Sequence, residues 1–381
     1  MRMVLFTDSY TPQVNGVART LARLVEHAGE RGHEVALVSP RVAGAALTDA
    51  DMHLALPSIP FPWYPELRLA LPLDPWSARR LDAFAPDLVH VATEATVGWS
   101  GLGWAEKRGV PLVTSFHTDI PSYLAGYGLG GLEPHAWNYL RSFHRRARMS
   151  FCPSLTTVAQ LRDAGFDHDL RVWGRGVDPD LFNPRRRREQ VRERLAPGAR
   201  HVLLYVGRLA PEKRVDLLID AFNGLRGFFG EDVALVIVGD GPSGPALRQA
   251  GGPGVHFAGY LTGETLADAY AAADLFTFPS DTETFGNVVL EAMASGLPLV
   301  AAARGGVVDL VGNENRGLLF PPGDVSALGA TIVHLLLEPQ LRRRLALHAR
   351  AEALRRSWTA VFDDRFAAYA EATGKAATRV A

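Results

Sequence analysis

The sequence predicts an α/β protein made of two doubly wound domains in series. Three observations carry that prediction. Short apolar runs alternate with helical patterns through most of the chain, as βαβ units on a parallel sheet do. The alternation occurs twice, with an interruption near Trp173–Pro184. The length of 381 residues and an apolar content of 47% are enough for two cores of ordinary size.

In the first half the strand candidates are Val4–Thr7, Val35–Ser39, Leu88–Ala92, Leu112–Phe116 and Ser150–Pro153. Helical patterns at Val17–Arg31 and Trp99–Arg108 lie between them. Around the interruption, Asn183-Pro-Arg-Arg-Arg-Arg188 is polar and charged, as suits a linker or a first helical turn. The second set of strands begins at Val202–Val206 and continues with Ala234–Val238, Val255–Phe257, Leu275–Phe278 and Leu299–Ala302. Helices are expected at Val215–Arg226 and Gly263–Ala273. Near the C-terminus, Trp358, Val361, Phe362, Phe366 and Tyr369 recur at helical spacing.

Composition excludes several classes. With 40 Lys+Arg against 41 Asp+Glu, net charge gives no case for nucleic acid. The single Cys152 rules out an intrachain disulfide framework and a Cys-based zinc site, and fits a reducing cytoplasm. Met3–Phe6 reads as a strand with polar Thr7-Asp8 directly behind it, so no signal peptide is expected. No run approaches the roughly 20 apolar residues of a spanning helix. The expected location is the cytoplasm, with peripheral contact to the inner face of the membrane left open.

The most informative stretch is Pro279-Ser-Asp-Thr-Glu283-Thr-Phe285-Gly286-Asn287-Val288-Val-Leu-Glu291-Ala-Met-Ala-Ser-Gly296. It follows the apolar run Leu275–Phe278 and enters a helix that should stop at Gly296-Leu-Pro298. Glu283 therefore sits at the carboxyl end of a strand and the mouth of a helix, where open α/β sheets bind ligands. The N–H groups of Phe285, Gly286, Asn287 and Val288 are first-turn donors suited to an anion. Two carboxylates beside an anion site suit sugar hydroxyls, so the stretch suggests an enzyme handling a phosphorylated sugar. Glu283 and Glu291 are eight residues apart, roughly a dozen ångströms along a helix. That exceeds the about 5–5.5 Å of a retaining carboxylate pair, so separate roles are expected. The two could bracket one ligand at different hydroxyls; an ordinary paired helix carboxylate is the alternative for Glu291.

Arg208 and Lys213 follow the strand Val202–Val206 at the entry to a helix. A diphosphate needs such positive charge, and Arg offers a bidentate fork where Lys offers a point charge. A solvated helix start is the competing explanation. Asn15-Gly16 lies between the first strand and its helix, where Gly lets backbone N–H groups approach a phosphate. One glycine is no dinucleotide fingerprint. His117 ends the strand Leu112–Phe116, with Asp119 two residues on. Gly239-Asp240 and Tyr260-Leu261 each follow a strand and could floor a nucleotide base, although turn chemistry explains Asp-Gly-Pro equally well.

These segments together resemble the retaining glycosyltransferases of family 4, which have the GT-B fold. The resemblance spans nearly the whole chain. It is carried by Pro12-Gln-Val-Asn15-Gly16, Phe116-His117-Thr-Asp119, Trp173-Gly-Arg175-Gly-Val-Asp178, Gly207-Arg208-Leu-Ala-Pro-Glu-Lys213 and the Glu283–Glu291 motif. With Tyr123 and Tyr127-Gly, these look most like GDP-mannose-dependent mannosyltransferases and sulfoquinovosyltransferases of glycolipid synthesis. The resemblance implies two Rossmann-like domains facing across a cleft. The acceptor would belong to residues 1–173 and the nucleotide-sugar donor to 174–357, with a last helix, 358–381, crossing back to the first domain.

By resemblance, His117, Glu283, Arg208 and Lys213 are the catalytic set. Gly16, Gly239, Asp240, Tyr260, Leu261, Phe285, Gly286, Asn287, Val288 and Glu291 join Arg208, Lys213 and Glu283 around the donor. Asn15, His117, Asp119 and Arg175 are assigned to the acceptor. The family works without a metal or a separate cofactor, so Asp178-Pro-Asp180 is not read as a metal motif. GDP-mannose is the first donor expected, a UDP-hexose the second, and a lipid or glycolipid the preferred acceptor. Ile59-Pro-Phe-Pro-Trp63-Tyr64-Pro-Glu-Leu-Arg68, read as a loop, and the cluster Arg141, His144, Arg145, Arg146 and Arg148 are candidates for docking an anionic membrane. Ordinary packing and a solvated helix face are the alternative. A sugar-nucleotide epimerase, which needs no acceptor, and a non-catalytic nucleotide-sugar binder remain rival readings. Nothing in the sequence decides the oligomeric state.

Overall fold

The computed structural model describes residues 1–13, 15–42, 48–61, 64–121, 124, 129–312 and 315–374, with the side chains of 61 and 64–67 excepted. The chain divides into two compact units. One comprises residues 1–175 and the chain from Thr359 onward; the other is Gly176–Trp358.

The first unit holds β1 (Arg2–Phe6), β2 (Glu34–Pro40), β3 (Met52–Leu56), β4 (Ser58–Phe61), β5 (Tyr64–Ala70), β6 (Leu88–Val91), β7 (Leu112–Ser115), β8 (Met149–Cys152) and β9 (Asp169–Val172). Seven of these form one sheet in the order β3-β2-β1-β6-β7-β8-β9. Every neighbouring pair in it is parallel. Strands such as β6, Leu-Val-His-Val, are buried along their whole length, as a sheet covered on both faces requires. The Pro-rich stretch expected to be a loop is instead an antiparallel hairpin, β4 on β5, with a register shift between Pro60 and Phe61. Pro60 is tolerated because a two-stranded ribbon is all edge.

The last helix, Trp358–Thr373, buries Phe362, Phe366 and Tyr369 in this first unit. The Tyr369 hydroxyl is hydrogen-bonded to His90 Nδ1 at 2.8 Å, and His90 Nε2 lies 2.7 Å from Ser115 Oγ. Burial pushes the His90 pKa down to about 3, so the ring is neutral and passes one hydrogen bond from helix to sheet.

The second unit holds β10 (His201–Val206), β11 (Val233–Val238), β12 (Val255–Gly259), β13 (Leu275–Phe278), β14 (Leu299–Ala302) and β15 (Gly317–Phe320). They form a parallel sheet in the order β12-β11-β10-β13-β14-β15. Its core joins both faces of the sheet to helices such as Val215–Phe229 and Val325–Leu337. In both sheets the strand order reverses beside the first strand, between β1 and β6 and between β10 and β13. Each reversal opens a crevice at the carboxyl ends of its strands.

Candidate active site

In the second unit, β10 runs into Gly207–Lys213 and β13 runs into residues 279–286 on either side of the reversal. Here the Lys213 ammonium meets the Glu283 carboxylate at 2.7 Å. The two side chains are only 15% and 25% exposed. Sequence reasoning assigned them to different parts of one donor; the fold makes them direct partners across the reversal. The β10 turn is held from below by buried Tyr205, whose hydroxyl donates to Arg208 O at 3.1 Å. Burial, then the charges of Glu283 and Glu212, raise the Tyr205 pKa, which keeps that phenol protonated. Arg208 itself is exposed at the crevice edge.

The β10 turn also locks to the turn after β11. Gly207 N donates to Val238 O at 3.0 Å and Leu209 N to Asp240 O at 2.9 Å. Gly239 has φ 134°, and a Cβ there would overlap Gly207 O, so only glycine lets the two turns stack. Asp240 is exposed and accepts from Gly241 N at 2.8 Å. Tyr260, past the edge strand β12, is 60% exposed, and Leu261 is half-buried.

The Glu283 turn is braced from the other side by Gly305-Gly306, which the sequence reading missed. Gly306 N donates to Glu283 O at 2.9 Å, and a Cβ on Gly306 would overlap Thr284 O. Adjacent glycines after an apolar strand were the available signal. The helix then opens at Asn287 and runs to Ala294, with Gly286 at φ 93° as its cap. Its first-turn N–H groups point back along the axis toward the Glu283 turn, as at any helix start. Phe285 is buried, Val288 is half-buried, and the Asn287 side-chain oxygen is buried with no hydrogen-bond partner among the described residues. Glu291 is 7% exposed. The Tyr270 hydroxyl donates to its Oε2 at 3.0 Å, a positioning contact that no motif announced.

The first unit carries two further groups. After β1, Asn15 caps the helix Gly16–Glu30 by accepting from Ala18 N at 2.8 Å. Its amide nitrogen donates to Ser9 Oγ at 2.9 Å. Buried Asp8 ties the turns after β1 and β6 together, accepting from Thr93 Oγ1 at 2.8 Å and Val97 N at 2.9 Å. Asp8, too, was missed; its raised pKa reflects burial first, opposed by those bonds.

His117 lies two residues past β7 and is 7% exposed. Arg175 donates to its Nδ1 at 2.9 Å. Burial first, then the Arg175 charge, hold the His117 pKa well below the ordinary histidine value. Asp119 accepts from Gln160 Nε2 at 2.8 Å.

The fold also places three other features of the sequence reading. Arg175 is 5% exposed and donates to His117 Nδ1 and to the Trp173 carbonyl. The basic cluster is not one exposed face. His144 is fully buried against Thr114 Oγ1 at 2.8 Å, Arg146 pairs with Glu106, and Arg148 donates to Ala372 O. Asp178 is a turn residue, accepting from the backbone N–H groups of Asp180 and Leu181. Val14, Trp63, Tyr123 and Tyr127 lie outside the described residues. Among the described residues no helix is long and apolar enough to cross a membrane.

Residues 14–181 match the family model described as Glycosyltransferase Family 4, and residues 200–338 match Glycosyl transferases group 1. A GDP-mannose-dependent alpha-mannosyltransferase of Mycobacterium tuberculosis is 38% identical, over 100% of this chain and 99% of that one. Sulfoquinovosyl transferase SQD2 of Arabidopsis thaliana is 33% identical, over 94% of this chain and 71% of that one. A GDP-mannose-dependent alpha-(1-6)-phosphatidylinositol dimannoside mannosyltransferase of M. tuberculosis is 28% identical over 92% of each chain. Among solved structures, sucrose-phosphate synthase from Thermosynechococcus elongatus superimposes with a TM-score of 0.77, covering 97% of this chain and 98% of that one at 22% identity. That likeness establishes the fold, two Rossmann-like domains of the GT-B type. With full-length identity to named transferases and both family models matched, the chain belongs to glycosyltransferase family 4 and is a hexosyltransferase enzyme.

Proposed function

We propose that this enzyme moves a mannosyl group from GDP-mannose to a hydroxyl of a membrane lipid or glycolipid, with retention at the anomeric carbon. The observation that carries the reading is the Lys213–Glu283 pair at the β10/β13 reversal, four residues before the helix Asn287–Ala294 begins. The donor and acceptor classes are supported by the names of the mycobacterial relatives.

In this reading Lys213, Arg208 and the helix N-terminus hold the donor diphosphate and stabilise the charge that grows on the departing β-phosphate. Gly16, at the first helix start of its own unit, offers backbone N–H groups suited to a phosphate. Glu283 accepts from hydroxyls of the transferred sugar. Glu291, set by Tyr270, accepts from the ribose hydroxyls. Gly239, Asp240, Tyr260 and Leu261 flank the base. The acceptor belongs to the first unit, where Asn15, His117 and Asp119 stand near their strand ends, with Arg175 acting through His117. The leaving phosphate takes the acceptor proton as the new bond forms on the same face. Positive charge from Arg208, Lys213 and the helix replaces a metal, and membrane contact is peripheral, on the cytoplasmic side.

The test is product formation. Purified protein is mixed with GDP-mannose and phosphatidylinositol-containing vesicles, and lipids are read by mass spectrometry. A lipid heavier by one hexose is expected. A hexosylated lipid formed from UDP-glucose but not GDP-mannose would reassign the donor. Donor hydrolysis with no lipid product would contradict the lipid-transfer reading.

A further inference from the structure

His117 and Arg175 stand 58 positions apart in sequence, and the fold of the first unit buries them together at 7% and 5% exposure. An Arg guanidinium has five donors and no acceptor. The ring nitrogen it meets at 2.9 Å, Nδ1, must therefore be the accepting one. Arg175 is itself fixed. It also donates to Trp173 O at 2.9 Å, and its guanidinium lies 5.3 Å from the Trp173 ring centre.

We infer that Arg175 is a positioning residue that locks His117 as the neutral tautomer with its proton on Nε2, so that His117 serves the substrate as a hydrogen-bond donor and not as a base. The inference rests on the proposed function, in that it takes His117 to meet a substrate hydroxyl. A histidine already protonated on Nε2, with Nδ1 occupied, has no site to receive the acceptor's proton. That proton must leave by another group. Replacement of Arg175 by a residue without donors would free Nδ1, and the ring could then carry its proton on either nitrogen.

The groups facing His117 all act in one direction. Arg175 approaches from the segment after β9. The buried rings of His90 on β6 and His144 at the end of the helix Glu133–His144 bring no negative charge that would favour an imidazolium there. The Trp173 ring lies 5.7 Å away, centre to centre. On its own segment, Asp119 is engaged by Gln160. Arg175 keeps its charge at neutral pH: burial, then the Arg365 charge, bring its pKa down to about 10. Burial and the Arg175 charge both favour the neutral imidazole, and its donor side is set by one neighbour.

The experiment combines a spectrum with kinetics. Full-length protein labelled with ¹⁵N-histidine gives long-range ¹H–¹⁵N patterns that report each tautomer, and His117→Asn assigns the signal. Wild type should show the Nε2-protonated pattern at neutral pH. Arg175→Met should show mixed tautomers, an acid limb of the pH–rate profile moved upward, and kcat reduced about tenfold, with donor KM little changed. Arg175→Lys, which keeps a donor, should restore much of the wild-type pattern. An Nδ1-protonated or charged ring in the wild type would overturn the inference, whether or not the variants fold. So would a switched tautomer in Arg175→Met with transfer and its pH profile unchanged. Wild-type protein without transfer activity would instead sink the proposed function, and the spectrum would still decide the tautomer.

Discussion

Glu283→Ala should lose at least about 100-fold in transfer while the protein stays folded. A charged acceptor contributes about 1.5–3 kcal/mol per hydrogen bond, and a carboxylate that takes two sugar hydroxyls supplies roughly twice that. At about 1.36 kcal/mol per factor of ten, the loss reaches two orders of magnitude or more. The fold loses little, because a partly exposed ion pair stabilises by only about 1 kcal/mol or less. The structure adds a specific expectation. Glu283 is bonded to Lys213, so its removal releases the ammonium. Free nucleoside diphosphate should then bind at least as tightly as before. Steady-state transfer and calorimetric titration on the same variant check both halves. Unchanged turnover would remove Glu283 from the sugar site.

Lys213→Ala should weaken the donor and the free nucleoside diphosphate alike, by about 10–100-fold, since one charged hydrogen bond to phosphate is lost in each. The variant also leaves Glu283 without its cation, 25% exposed beside the phosphates. That uncompensated carboxylate repels the diphosphate and adds to the loss. Acceptor KM should barely move. A change confined to acceptor affinity would contradict the phosphate role, and the comparison of Kd for free nucleotide with acceptor KM makes the distinction.

The fold was largely legible because buried parallel strands write themselves as continuous apolar runs. β13 and β14 run over the residues expected, Leu275–Phe278 and Leu299–Ala302. β3, Met-His-Leu-Ala-Leu, and β9, Asp-Leu-Arg-Val, were not seen. β9 is an edge strand and β3 closes the other edge, so each needs less apolar surface than a central strand. The β4–β5 hairpin was hidden by Pro60 and Pro65, which argue locally for loop. Candidate site residues were legible where a turn residue and a charge fall together, as at Phe285-Gly286 after Glu283. What stayed hidden is pairwise contact. Lys213 with Glu283, Tyr270 with Glu291, and Arg175 with His117 are each set by strand order, and no local pattern encodes which strands become neighbours. His144 misled for the same reason: at helical spacing among arginines it reads as surface, while the helix turns it toward Thr114 and Ser150.

The central claim is that the β10/β13 crevice holds a nucleoside diphosphate using protein charge alone. It is tested most directly by thermal unfolding of the wild type with GDP, UDP and ADP, first with chelator and then with Mg²⁺. A ligand that binds only the native state at about 100 times its Kd stabilises by about 2.7 kcal/mol, a shift of several degrees. The account predicts that GDP gives this shift with chelator present and that Lys213→Ala largely loses it. Absence of a shift with every nucleotide, or a shift that appears only with Mg²⁺, would contradict it.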